Sequence, residues 1–227
     1  MNFRARIPQP KPKISLPQRI ILVHTSPDLS FLKKKLGLSR KGGFFLAELW
    51  AEGAFFLCGP VLGAPQAAIV LEYLAASGVK EILALGWAGA LKEKFSLGGL
   101  FLPEKALSAE GTSAHYGYYP YPDRDLFWWL YHELVAQGLF FEVGTVVSTD
   151  APYRETEAFF RRFPEAVAVD METSALFSVA RALGLSLASV LIFSDRLFPR
   201  YERLKPQKMQ ETLETLIPVL RVFGQRS

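Results

Sequence analysis

Val169-Asp170-Met171-Glu172-Thr173-Ser174-Ala175-Leu176 sits at a change of period in the chain. Before it, Ala166 to Val169 is an apolar run of strand length. After it, Met171, Ala175, Leu176, Val179 and Leu183 recur at helical spacing. A strand therefore hands over to an amphipathic helix, and two acids lie at the junction. Helix N-termini present unpaired N–H groups and partial positive charge, which keep an acid ionised. An ionised carboxylate only accepts hydrogen bonds, which suits it to gripping the paired hydroxyls of a sugar. By pattern alone, Asp170 reads as an N-cap and Glu172 as an ordinary first-turn acid.

The same alternation extends in both directions. Toward the N-terminus, Arg19 to His24 reads as a strand, residues 28–36 as a helix, and 44–50 with 54–58 as a strand pair. Pro65 opens a helix that Gly78 stops. Glu81 to Gly86 is a buried strand ending in Gly86-Trp87-Ala88-Gly89-Ala90, and a further strand runs from about Gly99 to Leu107. Residues 109–123 read as loop, 124–137 as helix, 139–148 as strand and 155–162 as a short helix. Beyond the opening stretch, Leu185 to Phe193 is a strand and 207–223 a helix interrupted at Pro218. Strands alternating with helices predict a three-layer α/β domain with a central, largely parallel sheet. Ligands of such sheets bind beyond the carboxyl ends of strands. Four strands end in polar or glycine-rich residues: Gly86 to Gly89, Ser148-Thr149-Asp150, Asp170 to Glu172, and Ser194-Asp195. If the sheet is parallel there, these ends share one rim.

Composition narrows the class. The chain has 227 residues, half of them apolar, and reads as one globular domain. The net charge of +4 is concentrated in the arm. Residues 1–19 hold Arg4, Arg6, Lys11, Lys13 and Arg19 and no acid, leaving the remainder at −1. The body carries no nucleic-acid footprint. With Pro8, Pro10, Pro12 and Pro17, residues 1–18 are expected to form an extended basic arm ahead of a domain over 19–227. No apolar run is long enough to cross a membrane, and the N-terminus lacks the apolar segment of a signal peptide, so a cytoplasmic protein is expected. The single cysteine, Cys58, and the scattered His24, His115 and His132 have no metal-ligand spacing. The Phe127-Trp128-Trp129 cluster with Tyr131 is broader than one buried helix face needs, which points to a subunit interface.

Several of these pieces, in this order, resemble the purine nucleoside and uridine phosphorylase superfamily, which also holds the methylthioadenosine nucleosidases. Gly86-Trp87-Ala88-Gly89-Ala90-Leu91 resembles the family's glycine turn. Val143-Gly144 through Asp150 resembles its base-side strand, Val169-Asp170-Met171-Glu172 its Val-Glu-Met-Glu signature, and Ser194-Asp195 its Ser-Asp. The stretches Glu110 to Tyr116 and Asp150 to Thr156 are similar to a bacterial, uridine-phosphorylase-like branch.

The resemblance implies a three-layer αβα fold with a mixed central sheet, and scission of a nucleoside's N-glycosidic bond. It implies that Glu172 holds the ribose hydroxyls, with Met171 under the sugar and His115 toward the ribose 5′ end. Asp195 would protonate or hydrogen-bond the purine N7, a role that needs a raised pKa. Gly89, Ser148 and Tyr153 would lie by the base, and Gly86 and Trp87 beside the nucleophile. No cofactor or metal is implied; inorganic phosphate is the co-substrate of a phosphorylase. A homo-oligomer built from dimers, either a dimer or a trimer of dimers, is also implied.

Two departures stand out. The family's phosphate-holding Gly-Asp-Pro-x-Arg turn is here Thr25-Ser26-Pro27-Asp28-Leu29. Its Arg and Ser/Thr around the glycine turn are Ala84 and Trp87. A phosphate dianion needs such cations. The resemblance puts first a phosphorylase that gives free base and ribose 1-phosphate, with Arg154, Arg196, Lys208 or an arm arginine of a neighbouring subunit as the candidate replacements; a nucleosidase using water is the alternative, and a silent nucleoside-binding protein the third reading. The uracil-reading Gln-x-Arg pattern is also absent, Thr156 and Ala158 standing there, which favours a purine base.

Overall fold

Ile20-Ile21-Leu22-Val23 forms the expected strand and shows why the sheet is buried on both faces. In the computed structural model, which describes residues 7–8, 10–11 and 15–226, β1 (Arg19–Val23) sends Ile20 and Leu22 into one core cluster. Ile21 and Val23 enter a second cluster on the opposite face. β5 (Glu81–Ala90) divides in the same way, Ile82 and Ala84 against Leu83 and Leu85. Helices α2 (Ala64–Ala76) and α5 (Thr173–Leu183) cover the first face. Helices α1 (Ser26–Lys35), α3 (Arg124–Ala136) and α6 (Pro206–Gln225) cover the second. A four-residue helix, α4 (Glu157–Phe160), completes the set.

The other strands are β2 (Ser39–Phe44), β3 (Ala47–Glu52), β4 (Phe55–Gly59), β6 (Leu100–Ala109), β7 (Phe141–Thr149), β8 (Ala166–Asp170), β9 (Ser186–Arg196) and β10 (Glu202–Arg203). They form one sheet in the order β10-β9-β6-β7-β8-β5-β1-β4-β3-β2, and β9 also pairs with β5. That extra pairing closes β5, β8, β7, β6 and β9 into a ring. The three layers are as expected, and the sheet is mixed, as the resemblance implies, rather than largely parallel: five strand pairings are parallel and five antiparallel. The antiparallel share comes from the β2-β3-β4 meander, from the short β10 on β9, and from β8 and β6 closing the ring; the last two are long-range pairings that local periodicity does not encode.

β5 decides where the site falls. Along one edge it pairs with β9 over its whole length. Along the other, Arg19 to Val23 of β1 run parallel to Glu81 to Leu85, while β8 arrives antiparallel at Gly89 and Ala90. The carboxyl ends of β1 and β8 therefore face each other across Gly86-Trp87-Ala88. This glycine-rich segment is strand, not turn.

One further expectation changes. Pro218 does not interrupt α6, which runs unbroken through it. A proline inside a helix costs about 3 kcal/mol. Met209, Leu213, Leu216, Val219, Leu220 and Phe223 are buried along that helix, and each such burial stabilises by about 1.5–3 kcal/mol. Packing outweighs the lost bond. Most of the N-terminal arm, including Arg4, Arg6 and Lys13, lies outside the described residues. Its last part joins the body: Leu16 is buried in the core, and the Gln18 carbonyl accepts from the N–H groups of Lys80 and Glu81.

Candidate active site

The gap between β1 and β8 opens into a cavity of about 210 Å³. His24 and Thr25 line it from the end of β1, Trp87 to Gly89 from β5, Val169 to Glu172 from β8, and Ser194 and Asp195 from β9. Leu62, Pro152 and Glu155 complete the wall from loops. Among the described residues, no lysine or arginine lines it. A larger cavity, about 340 Å³, lies at Tyr119, Arg124 and Arg181 between α3 and α5, away from these strand ends.

Asp170 and Glu172 divide the roles that the sequence left open. Asp170 is the structural acid. Its Oδ2 accepts from the Thr173 N–H and hydroxyl at the start of α5, and its Oδ1 accepts from Ser148 Oγ at 2.5 Å. Burial, then the charge of Glu172, pushes its carboxyl up to about 6. Glu172 is also buried, but its carboxylate points away from its own helix. Oε1 accepts from the Gly63 N–H at 2.6 Å, and Oε2 lies 3.5 Å from His24 Nδ1. Gly63 holds φ +80, a conformation glycine adopts without strain, and this aims its N–H at the acid.

Asp195 is set by a bulge. Ala88 pairs with Phe193 but Gly89 with Asp195, so Ser194 is the extra residue in β9. A bulge re-aims the side chain that follows it. Ser194 Oγ donates to Asp195 Oδ1 at 2.6 Å. A Cβ on Gly89 would lie 3.2 Å from Asp195 Oδ2, so the glycine leaves room for the carboxylate. Gly86 makes the same allowance for His24: a Cβ there would stand 2.1 Å from Nδ1.

Asp195 itself is partly exposed, and on the same cavity wall stands Glu155. Its carboxyl rises to about 7, from burial first and then from the charges of Asp195 and Asp170. Trp87 does not plug the cavity. Its ring packs against the second core cluster, and its Nε1–H donates to Asp28 Oδ2 at 2.6 Å. Asp28 is almost fully buried, and burial pushes it up to about 6 against the opposing hydrogen bonds of Trp87 and Thr25.

Of the residues expected at the site, the structure brings Asp195, Met171, Glu172, Gly89 and Trp87 to one cavity. Ser148 is a correction: it is fully buried behind Asp170, donating to it and accepting from the Ser174 N–H. Tyr153 is 99 % exposed because the Pro152–Arg154 turn carries it outward, and Arg154 is exposed beside it. His115, in a short 3-10 turn (Ser113–Tyr116), is exposed and off the wall. Lys208 lies on α6, paired with Glu211, by a different hollow at Gly98 and Phe140. Arg196 turns away to Glu202 and the Phe95 carbonyl. Gly86 acts behind the wall, through His24. Reading by residue type missed His24, Glu155, Leu62 and Gly63. A signal existed for His24 alone, which ends a strand as the other site residues do.

No group of three or more His, Cys, Asp and Glu side chains among the described residues is placed to hold a metal ion, and no helix there is long and apolar enough to cross a membrane. Comparison with known proteins agrees with the geometry. A guanosine phosphorylase of Halorubrum lacusprofundi is 28 % identical over 174 residues, 72 % of each chain. A uridine phosphorylase of Vibrio fischeri superposes with a TM-score of 0.78 at 25 % identity, covering 95 % of each chain. An AMP nucleosidase of Bacteroides thetaiotaomicron shares the fold, with a TM-score of 0.74 at 24 % identity over 91 % of this chain and 89 % of that one. A model of the phosphorylase superfamily matches residues 18–218, and the chain belongs to that family.

Proposed function

We propose that this cavity cleaves the N-glycosidic bond of a purine-type nucleoside, with water as the attacking group. One observation carries the reading: Glu172 and Asp195 share a single cavity whose described lining holds several carboxylates and no cation. Glu172, fixed by Gly63, is the acceptor for the sugar hydroxyls, with Met171 beside it. As the bond breaks, the sugar gains oxocarbenium character, and a fixed carboxylate stabilises that charge. Asp195 donates to the departing ring nitrogen. A phosphate dianion entering the same space would meet carboxylates without a guanidinium to hold it.

The second reading is phosphorolysis, giving ribose 1-phosphate. It is favoured by the phosphorylases among the relatives. It requires a cation from beyond the described residues of this chain, such as a neighbouring subunit. The exposed Trp128, Val135 and Phe140 support self-association, and a cytoplasmic homo-oligomer is part of this reading. The test is to incubate the protein with a panel of purine and pyrimidine nucleosides, with and without phosphate, and follow free base. Release from purine nucleosides without phosphate is expected. Release only with phosphate selects the second reading, and binding without release ends both.

A further inference from the structure

The β1 side of the cavity holds an imidazole whose two nitrogens are both unsatisfied. His24 is 2 % exposed. Its backbone is fixed, its N–H donating to the Leu85 carbonyl at 2.9 Å and its own carbonyl accepting from the Val61 N–H at 2.9 Å. Its ring is wedged over Gly86. Yet neither Nδ1 nor Nε2 has a hydrogen-bond partner among the described residues. Leaving a buried polar group unpaired costs about 1–3 kcal/mol, and such groups call for a partner from outside the chain or a task of their own. The ring lines the same cavity as Glu172 and Asp195.

The surroundings give the imidazole a direction. Glu172 Oε2 lies 3.5 Å from Nδ1, while Oε1 is anchored on Gly63. The Glu172 carboxylate is the nearest acceptor for a proton on Nδ1, and a ring protonated there presents its other nitrogen as an acceptor. The other charged groups facing the ring are Asp28 from α1 and, across the cavity, Asp170, Glu155 and Asp195; all are acids. His24 packs on Gly86, and Asp195 packs on Gly89. Two strand residues, Trp87 and Ala88, lie between those glycines, three steps or about 10 Å along β5, and the His24 and Asp195 side chains both border the one cavity at the strand ends.

We propose that His24 is the general base that takes a proton from the attacking water, oriented through Nδ1 by Glu172. The proposal rests on the hydrolytic reading above. The water oxygen forms a bond to C1′ as the bond from C1′ to the base nitrogen breaks. The bonding pair leaves with the base, whose ring nitrogen receives a proton from Asp195. The proton lost by water goes to His24 Nε2. Free sugar and free base depart, His24 returns its proton to solvent, and Asp195 is reprotonated from it.

The experiment measures kcat and KM without phosphate for the parent, His24→Ala and His24→Gln, with added imidazole as a third arm. Both variants should lose about 10²- to 10⁴-fold in kcat while KM stays within a few-fold. Imidazole should restore part of the His24→Ala activity, because it fits the space left by the ring, and should not help His24→Gln. A merely structural histidine would lower the melting temperature without this rescue. If His24→Ala does not fold, the kcat and KM of His24→Gln still decide. Phosphate-independent cleavage with a fully active His24→Gln, or a loss that imidazole does not touch in a folded His24→Ala that still binds nucleoside, overturns the role of His24 alone. A parent enzyme that cleaves only with phosphate, or not at all, overturns the hydrolytic reading and this proposal with it.

Discussion

The Trp87 indole nitrogen donates to Asp28 Oδ2 at 2.6 Å. These residues mark the two departures from the phosphorylases that the sequence resembles. Trp87 stands where they carry Ser or Thr, and Asp28 lies in the turn that replaces their Gly-Asp-Pro-x-Arg. In space this bond ties the two departing segments together. Trp87 lines the cavity, and Asp28 is buried behind it.

That contact predicts coupling. Trp87→Phe keeps an aromatic ring but removes the donor, leaving a buried carboxyl short of a bond, which should destabilise by about 1–3 kcal/mol. Asp28→Ala removes the acceptor instead. In a double-mutant cycle measured by urea unfolding, the pair should show a coupling of about 0.5–3 kcal/mol. Simple additivity would mean that the 2.6 Å bond contributes nothing.

Asp28 also predicts a pH dependence. Its carboxyl is raised by burial to about 6 in the folded state, against about 3.9 unfolded. The folded state therefore holds the proton more tightly. The stability this contributes is complete below about pH 4 and is lost as pH rises through about 6. Asp28→Asn has no proton to lose. Its stability relative to the parent should climb between about pH 4 and pH 6, by up to about 3 kcal/mol. Parallel stability curves for the two proteins would show that the carboxyl is not buried as described.

Asp195 should matter to turnover far more than to folding. It is partly exposed, and the side-chain bond it accepts comes from its neighbour Ser194. Asp195→Asn is expected to lower kcat by about 10²-fold or more with little change in melting temperature. The same variant removes a charge facing Glu155, so the Glu155 carboxyl should titrate below its value of about 7, as read by carboxyl NMR. An unmoved Glu155 would place the two acids too far apart to share a ligand.

The fold was legible in the sequence to the extent that it is local. Ile20 to Val23, Glu81 to Gly86 and Leu185 to Phe193 carry their strands in their own side chains. The closure of the ring does not, because β8 meets β5 through residues 80 positions apart, Gly89 and Val169. The site divides in the same way. Glu172 and Asp195 could be found because each stands at the carboxyl end of a strand within a motif of the resembled family, and the strand-end rule applied to four strands holds equally for a fifth, where His24 follows Val23. Glu155 could not be found so. Its loop carries a tyrosine and an arginine that look more functional, yet the turn sends Tyr153 and Arg154 outward and leaves Glu155 on the wall. Gly63 is further still from any local signal, since its N–H reaches an acid 109 residues away.

The two glycines of β5 should respond differently to the same added methyl group. In Gly86→Ala the new Cβ would stand 2.1 Å from His24 Nδ1 and 2.7 Å from Cε1. That ring is buried, and its backbone is pinned to Leu85 and Val61, so it cannot yield without moving strands. Overpacking of this kind costs about 1–3 kcal/mol, and a lower melting temperature should accompany the lost activity. In Gly89→Ala the nearest atom, at 2.6 Å, is the Cδ1 tip of Leu197, which can swing aside. The atoms that remain close are Val169 Cγ1 at 3.1 Å and Asp195 Oδ2 at 3.2 Å. The expected outcome is a protein that melts within a few degrees of the parent but has lost most of its turnover, because the carboxylate has been pushed off its line. Calorimetry and free-base release on the two variants separate the cases. A Gly89→Ala protein with full activity would mean that the position of Asp195 over the strand is immaterial to the chemistry.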